Sequence, residues 1–327
     1  MVRIRGVAAL LAPLLLISCA QQDWPADTPG LVPIAVTADP VTLDPARPTA
    51  PRFGRLEYLG GVTLRAPSVR FGGWSGLALR PDGQGLVAVS DRGWWLEGVL
   101  QRDEAGRLVG IGAAHLGPLL SRNGAVMSLA FRDAEEVVLL PDGAALVAFE
   151  TRGRIWRYET VGGRAAAQLQ VPGATEVTSN RGLEAMARLT DGRLVLVMET
   201  SGQGWVGGEG DWQPFRYTAA DGHAVSGATA LPDGDLMVIE RGFGPLSLWS
   251  IRLVRVAAAA LSAGAEVRGE ELALLHHPLA IDNIEAAVAW RAPTGETRLL
   301  LLSDDNYQRV WQRTQLLEFR LLQDPAQ

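Results

Sequence analysis

The chain has 327 residues, of which 47% are hydrophobic and 20% are charged, so it contains enough apolar material for a sizeable core. Its formal net charge of -6 argues against nucleic acid as a partner, because phosphate backbones are bound by basic surfaces. The 37 Gly and 19 Pro residues, with short apolar runs bounded by turns, favour an all-β fold.

The first 19 residues resemble a secretion signal of the lipoprotein type. Two arginines precede an apolar stretch over Gly6–Ile17, which is too short to span a bilayer as a helix. The stretch ends in Leu-Ile-Ser-Cys, which is similar to the bacterial lipobox, so Cys19 is the predicted lipidation site. We expect export across the inner membrane and a periplasmic protein that lipid holds at the outer membrane. The alternative is a plain secretory signal with an incidental cysteine.

Residues 20–51 are rich in Pro, Asp, Thr and Ala and show no amphipathic period. This composition predicts an extended tether, with room for a short strand over Asp39–Leu43. No second break of this kind follows, so we predict one folded domain over residues 52–327. Cys19 is the single cysteine, which excludes an intramolecular disulfide.

Five segments of the domain share one pattern: an apolar run, a turn with Gly at its second position, a second apolar run and a polar end. The segments are Trp74–Gly93, Glu135–Gly153, Asn180–Thr200, Val225–Gly242 and Asp282–Asn306. Four of the turns are Asp-Gly and the fifth is Thr-Gly. Asp-Gly between apolar runs indicates a β-hairpin, because the turn needs a positive φ that Gly adopts freely.

The turns recur at intervals of 60, 49, 42 and 61 residues, from Asp82 to Thr294. Such intervals accommodate a four-stranded unit with variable outer loops, near the length of a propeller blade. We predict an all-β β-propeller with five blades, or six if one repeat is degenerate; a two-sheet β-sandwich fits the regular repeat less well. Pairing the runs Arg55–Leu64 and Gln315–Leu322 would close the ring and remove exposed edges.

Polar residues begin each first run and end each second run. In an antiparallel hairpin these two positions are neighbours, so the two sets should meet on one face around the central opening. We call this predicted set the polar collar. It comprises Ser75, Ser90–Arg92, Glu135, Glu150–Arg152, Asn180, Arg181, Glu184, Glu199–Ser201, Ser226, Glu240, Arg241, Asp282, Asn283, Glu285 and Ser303–Asn306.

Clustered carboxylates are hard oxygen ligands that suit Ca²⁺ or Mg²⁺. The predicted metal ligands are Glu150, Glu199, Glu240, Asp304 and Asp305. Arginine and amide side chains in the same place would hold an anionic group. The predicted ligand-binding residues are Asn180, Arg92, Arg152, Asn283 and Asn306. The structural alternative is that the acids and arginines pair with each other and join the blades.

The chain has no G-x-S-x-G elbow, no H-E-x-x-H, no paired C-x-x-C and no P-loop. A Ser-His-Asp mechanism is therefore unsupported, and metal-assisted hydrolysis is the enzymatic hypothesis that the collar allows. In it, Glu184 or Glu285 serves as the base and Arg181 or Arg241 holds the anion.

Six segments together resemble the bacterial phytase-like domain family, described as having esterase-like activity of phytase. They are Ser75–Ala78, Asn180–Glu184, Leu231–Phe243, Asp282–Glu285, Leu302–Asn306 and Thr314–Phe319. The resemblance covers about residues 56–322 and implies a cell-envelope β-propeller that hydrolyses phosphoesters or carboxylesters. Ca²⁺-dependent propeller phytases carry an N-terminal Asp-Asp-Pro-Ala-Ile-Trp element, which this chain lacks, and this argues against phytase activity itself.

Three functions remain open at this point. The first is a metal-assisted hydrolase that acts on a small anionic ester, with Ca²⁺ or Mg²⁺ as cofactor. The second is a non-catalytic propeller lipoprotein whose collar binds a ligand or an envelope protein. The third is an assembly scaffold that uses the outer blade edges. In each case we expect a monomer.

Overall fold

The computed structural model describes residues 29–48, 52–151, 153–173, 182–245 and 248–322. Four predicted site residues, Cys19, Arg152, Asn180 and Arg181, lie outside these ranges. Within them, no helix has the length and apolar character needed to cross a bilayer.

Strands account for most of the described chain. The first twelve are β1 (Val32–Pro33), β2 (Thr37–Pro40), β3 (Arg52–Phe53), β4 (Leu56–Arg65), β5 (Trp74–Leu79), β6 (Gly85–Ser90), β7 (Trp94–Arg102), β8 (Leu108–Pro118), β9 (Ala134–Leu139), β10 (Ala145–Phe149), β11 (Arg154–Tyr158) and β12 (Ala165–Leu169). The others are β13 (Leu183–Arg188), β14 (Leu194–Met198), β15 (Gln203–Gly207), β16 (Gln213–Tyr217), β17 (Ala224–Ala230), β18 (Leu236–Gly244), β19 (Leu248–Val256), β20 (Glu266–Val267), β21 (Glu270–His276), β22 (Asn283–Arg291), β23 (Thr297–Asp304) and β24 (Thr314–Leu321). Short 3₁₀ turns occur at Leu129–Phe131 and Ala258–Ala260.

The strands form five sheets, which we number as blades. From the inside outwards, blade 1 is β5-β6-β7-β8-β1, blade 2 is β9-β10-β11-β12, blade 3 is β13-β14-β15-β16-β20, blade 4 is β17-β18-β19-β21 and blade 5 is β22-β23-β24-β4-β2. The innermost strands β5, β9, β13, β17 and β22 contact one another in that cyclic order, and β22 contacts β5. The ring is therefore closed, and the predicted five-bladed β-propeller is confirmed.

The five predicted hairpins form the inner half of each blade. The glycines of their turns all have positive φ, at 67° for Gly83, 89° for Gly143, 96° for Gly192, 106° for Gly234 and 92° for Gly295. This left-handed conformation favours Gly over any residue with a Cβ, which is why the repeat is visible in the sequence.

The predicted closure of the ring by the chain ends is also confirmed. Strand β4 pairs with β24 in antiparallel register, from Leu56 opposite Leu321 to Leu64 opposite Thr314. Blade 5 thus combines strands from both ends of the domain, and this pairing leaves no open gap in the ring.

Part of the segment for which we predict a tether packs on the propeller. Strand β1 extends the outer edge of blade 1 by pairing with β8, and β2 extends blade 5 by pairing with β4. Leu43 is buried, and the Tyr58 hydroxyl donates a 2.8 Å hydrogen bond to the Val41 carbonyl. The chain between residues 32 and 43 therefore joins the outer edges of two neighbouring blades.

The core consists of five apolar clusters, one between each pair of adjacent blades. The second strand of each blade contributes apolar side chains to the two clusters that lie on either side of that blade. In β6, Leu86 and Ala88 face blade 5, whereas Val87 and Val89 face blade 2. Because alternate side chains of a strand point to opposite faces, a strand covered on both faces is apolar along its whole length.

Candidate functional site

Each innermost strand carries a β-bulge at the same position. The bulge leaves one residue without a partner on the second strand of the blade, namely Ser75, Glu135, Glu184, Ser226 and Glu285 in blades 1 to 5. We call these residues the bulge ring. A bulge bends a strand and redirects its side chain, and here it does so five times around one axis.

The bulge ring brings carboxyl groups from three blades together. Burial raises the pKa of Glu135 well above its usual value, and the charges of Glu184 and Glu285 raise it further. Burial likewise raises the pKa of Glu184, with the nearby Glu199 and Glu285 adding to the effect. These mutual effects, with the equivalent bulge positions, place Glu135, Glu184 and Glu285 around the axis of the propeller.

A second ring follows, formed by one residue near the end of the second strand of each inner hairpin. These are Asp91, Glu150, Glu199, Arg241 and Asp304, and we call them the strand-end ring. Each of them lies opposite the residue two positions before the bulge; for example, the Glu150 N–H donates to the Asp133 carbonyl at 3.0 Å. The two rings frame a polar cup at one end of the propeller axis.

Three carboxyl groups of the cup are close enough to share a cation. Ligand oxygens of Asp133, Glu135 and Glu150 all lie within 4.8 Å of one another. A Ca²⁺ ion with ligands at about 2.3–2.6 Å holds oxygens that are up to about 5 Å apart, so this donor set fits a hard divalent cation. Burial, with a hydrogen bond to the Asp133 side chain that favours the protonated form, raises the pKa of Glu150 to about 8. We call these three residues the acidic triad.

Arg241 provides the positive charge of the strand-end ring. Its Nη1 donates to Asn283 Oδ1 at 2.9 Å and to Glu285, and its Nη2 lies 3.6 Å from Glu199 Oε1. Burial opposes its charge, but Glu285, Glu184 and Glu199 outweigh this and raise the pKa of Arg241. Its guanidinium is therefore already bound by acids of the cup, and it fixes Glu285 in place.

Two predicted metal ligands lie outside both rings. Glu240 accepts hydrogen bonds from the Tyr217 hydroxyl at 2.7 Å and from the Ala220 N–H at 3.2 Å, and it pairs with Arg252. Neighbouring residues of a strand point to opposite faces, so Arg241 faces the cup, whereas Glu240 faces blade 3, to which Tyr217 belongs. The structure thus gives Glu240 a structural set of partners.

Asp305 fastens the loop after β23 to blade 1. Its Oδ1 accepts from the Gly73 N–H at 3.0 Å and from the Tyr307 N–H at 3.1 Å. By contrast, Asp304 belongs to the strand-end ring, and burial together with Glu285 and Asp91 raises its pKa. Of the adjacent pair of aspartates, only Asp304 therefore joins the carboxyl cluster.

Of the predicted ligand-binding residues that the structure describes, one lies inside the cup and two lie at exposed positions. Asn283 is buried and donates from Nδ2 to Glu285 Oε1 at 2.8 Å, so it supports the cup from within. Asn306 is exposed in a turn, where its N–H donates to Asp304 Oδ1 at 2.7 Å. Arg92 is exposed at the rim, and its guanidinium lies 3.7 Å from the centre of the Tyr307 ring.

Sequence reasoning missed two acids of the site. Asp133 precedes Glu135 by two residues, as Asn283 precedes Glu285, and this equivalence was the available signal. Glu136 is fully buried, and its Oε1 accepts from the N–H groups of Leu77 at 3.3 Å and Val137 at 2.9 Å. No local pattern distinguishes it from a surface acid.

Glu136 closes the channel beneath the cup. The equivalent positions in the other blades are the small residues Gly76, Ala185, Gly227 and Ala286. A Cβ on Gly76 would lie 2.8 Å from Glu136 Cα, so the inner strands approach closely here. Burial raises the pKa of Glu136 well above normal, although the backbone N–H groups of Val137, Leu77 and Ala228, the last from blade 4, oppose the shift. Glu136 therefore contacts blades 1 and 4 as well as its own blade.

Fold and site together define a five-bladed β-propeller with an acidic cup at one end of its axis, in which three carboxyl groups could hold a cation. The chain belongs to the phytase-like family described as esterase-like activity of phytase, whose sequence profile matches residues 69–307. The matched region contains both rings and the acidic triad.

Solved structures of other propeller proteins are similar to this chain. The calcium-binding protein regucalcin from Agrobacterium tumefaciens strain C58 has 14% sequence identity over 90% of this chain and 95% of its own, with a TM-score of 0.44. Virginiamycin B lyase from Staphylococcus aureus has 10% identity over 86% of this chain and 99% of its own, with a TM-score of 0.42. No curated protein matches the chain by sequence.

Proposed function

We propose that the protein is a hydrolase of phosphoester or carboxylester bonds that acts in the cup with a divalent cation. The observation that carries this proposal is the acidic triad, in which three carboxyl groups offer oxygens within 4.8 Å of one another at the centre of a phytase-like propeller. Asp133, Glu135 and Glu150 would hold the cation. When bound, it would supply Lewis acidity toward the ester oxygen.

Glu184 is the better of the two predicted bases. It is half-buried next to the triad, and desolvation with its acidic neighbours raises its pKa, so it retains a proton under conditions where an exposed Glu has lost it. A carboxyl group of this kind exchanges a proton with an attacking water or a leaving group more readily than an ordinary one. Glu285, in contrast, is bound by Arg241 and Asn283, so we assign it a positioning role.

The test is a screen of the purified chain against p-nitrophenyl phosphate, bis(p-nitrophenyl) phosphate and p-nitrophenyl acetate, with EDTA and then with Ca²⁺, Mg²⁺ or Mn²⁺. We expect turnover that EDTA abolishes and one of the cations restores. Glu184→Gln should lose this turnover, whereas Glu209→Gln, which removes an exposed acid, should retain it. Turnover that persists through both EDTA treatment and Glu184→Gln would exclude the proposed site.

Exposed apolar side chains support a second candidate, a non-catalytic binding module. Val310 is 83% exposed and Trp311 is 82% exposed in the loop after β23, and Phe243 is 64% exposed at the end of β18. These segments follow strands that end at the cup, so they belong to the same face of the propeller. This function predicts stabilisation by a ligand without turnover of any ester.

We also propose that the protein is an envelope lipoprotein, exported and held by lipid at Cys19, at the outer membrane. The support is the charged start, the apolar stretch and the lipobox-like sequence that ends at Cys19. Labelling with an alkyne-tagged fatty acid and membrane fractionation test this. We expect Cys19→Ser to lose the label and to leave the membrane fraction; a label that survives the substitution would contradict the proposal.

A further inference from the structure

Beside the acidic triad, the rim of the cup carries four side chains from three blades. Asp91 and Arg92 follow β6 in blade 1, Arg132 precedes β9 in blade 2, and Tyr307 follows β23 in blade 5. Asp91 and Tyr307 meet over Gly73, Arg92 lies over the Tyr307 ring, and Arg132 packs against Gly93, the residue after Arg92. We call this group the rim cluster.

The rim cluster contains polar atoms that the described protein leaves without partners. Asp91 Oδ1 and Arg132 Nε are both buried, and neither has a hydrogen-bond partner among the described residues. Buried donors and acceptors are nearly always paired, since an unpaired one loses its hydration without compensation. A donor and an acceptor left open at the same rim indicate that a ligand completes them.

The local backbone makes room for this arrangement. Gly73 has a φ of 64°, and a Cβ at this position would collide with both Asp91 Oδ1 and the Tyr307 ring. Asp91 and Tyr307 therefore converge over a glycine that cannot be replaced by a larger residue without displacing one of them. Gly73 thus lets these two side chains of the rim cluster approach each other.

The charges of the rim cluster define the chemistry of the ligand. Arg132 packs against Gly93, the residue after Arg92, because a Cβ on Gly93 would lie 2.7 Å from Arg132 Cβ. Two guanidinium groups next to each other repel unless an anion lies between them, and guanidinium N–H groups match the oxygens of a carboxylate or phosphoryl group. Arg92 stacks on the Tyr307 ring, which holds its guanidinium in a fixed orientation at the rim.

We propose that the rim cluster is a substrate subsite in which Arg132 and Arg92 bind an oxyanion and Asp91 accepts a hydrogen bond from a donor group next to that oxyanion. The proposal rests on the proposed function, because it assigns the cation and the reacting ester oxygen to the acidic triad and the non-reacting anionic group to the rim. It makes Arg132 and Arg92 the residues that select anionic over neutral esters.

Isothermal titration calorimetry of the purified chain, with and without Ca²⁺, tests the subsite independently of turnover. The probes are inorganic phosphate and acetate, which distinguish a phosphoryl from a carboxylate preference. We expect at least one of the two to bind. Arg132→Gln and Arg92→Gln should each weaken this binding about tenfold, the range for loss of one hydrogen bond to a charged group. Arg268→Gln, which removes an exposed arginine near β20, should leave the binding unchanged.

Thermal unfolding of each variant without ligand shows whether it folds, and Arg92→Gln is the safer variant because Arg92 is exposed. Glu150→Gln should keep anion binding while it weakens the response to Ca²⁺, so a failure of the cation site is distinguishable from a failure of the rim cluster. The proposal is overturned if neither phosphate nor acetate binds to the wild-type chain. It is also overturned if Arg92→Gln and Arg132→Gln bind the preferred anion as tightly as the wild type does.

Discussion

The carboxyl groups of Asp133 and Glu150 form a hydrogen bond with each other across the inner hairpin of blade 2. Their backbones are also joined, because the Glu150 N–H donates to the Asp133 carbonyl at 3.0 Å. Two carboxyl groups can share a hydrogen bond only while one of them keeps a proton. The pKa of Glu150 is accordingly raised to about 8, with burial as the main cause. A divalent cation would take the place of this proton, so cation binding and proton binding compete here.

The first prediction concerns cation binding. Ca²⁺ added to EDTA-treated protein should raise the thermal unfolding midpoint, because an ion that binds only the folded state stabilises it by about 2.7 kcal/mol at a hundred times its Kd. For a domain of this size the expected rise is a few degrees. Glu150→Gln should reduce it sharply and Glu209→Gln should not. If the midpoint does not change at millimolar Ca²⁺, Mg²⁺ or Mn²⁺, the acidic triad is not a cation site.

The second prediction is the pH dependence of stability without cation. Folding raises the pKa of Glu150 from 4.5 to about 8 and that of Asp91 from 3.8 to about 7. The folded state therefore binds more protons than the unfolded state between these values, and stability falls as pH rises from about 5 to about 8. Urea unfolding in EDTA across this range measures the slope.

Two changes should reduce that slope. Saturating Ca²⁺ replaces the shared proton, and Glu150→Gln removes a titrating group. A slope that neither change alters would mean that other groups dominate the titration.

The third prediction separates catalysis from stability at Glu184. Glu184→Gln should lower kcat by roughly 10²–10⁴-fold, the range for loss of a general acid or base. Its free energy of unfolding at neutral pH should stay the same or rise, because the amide is neutral without taking up a proton, whereas Glu184 must either take up a proton on folding or keep a charge near Glu135, Glu199 and Glu285. Parallel measurement of kcat and urea unfolding checks both parts. A variant that loses stability together with activity would indicate a structural role instead.

The fourth prediction concerns Arg241 as the counter-charge of the cup. Arg241→Met should lower the free energy of unfolding by roughly 3 kcal/mol, because Glu285 and Glu199 would lose the guanidinium group that pairs with them in the cup. Adding Glu285→Gln should recover part of this loss, and a double-mutant cycle by urea unfolding measures the recovery. Arg268→Met serves as the exposed control. Strictly additive effects of the two substitutions would contradict the coupling.

Much of the fold was predictable because its determinants are local. The Asp-Gly and Thr-Gly turns require a left-handed glycine, so five hairpins could be counted directly. The closure of the ring by β4 and β24 followed from two unpaired apolar runs at the ends of the domain. The outer strands carry no such signal; β15 and β16, for example, are each five residues long and contain Gly or Pro.

The sequence by itself determined which polar residues stand near the ends of the inner hairpins, because the repeat aligns them at equivalent positions. Only the tertiary structure decided which of them share the cup. A one-residue bulge directs Glu135, Glu184 and Glu285 toward the axis. The alternation of side chains along β18 places Arg241 in the cup and Glu240 against Tyr217 of blade 3. The acidic triad and the closure of the channel by Glu136 depend on distances between strands and blades, and a linear pattern does not encode these distances.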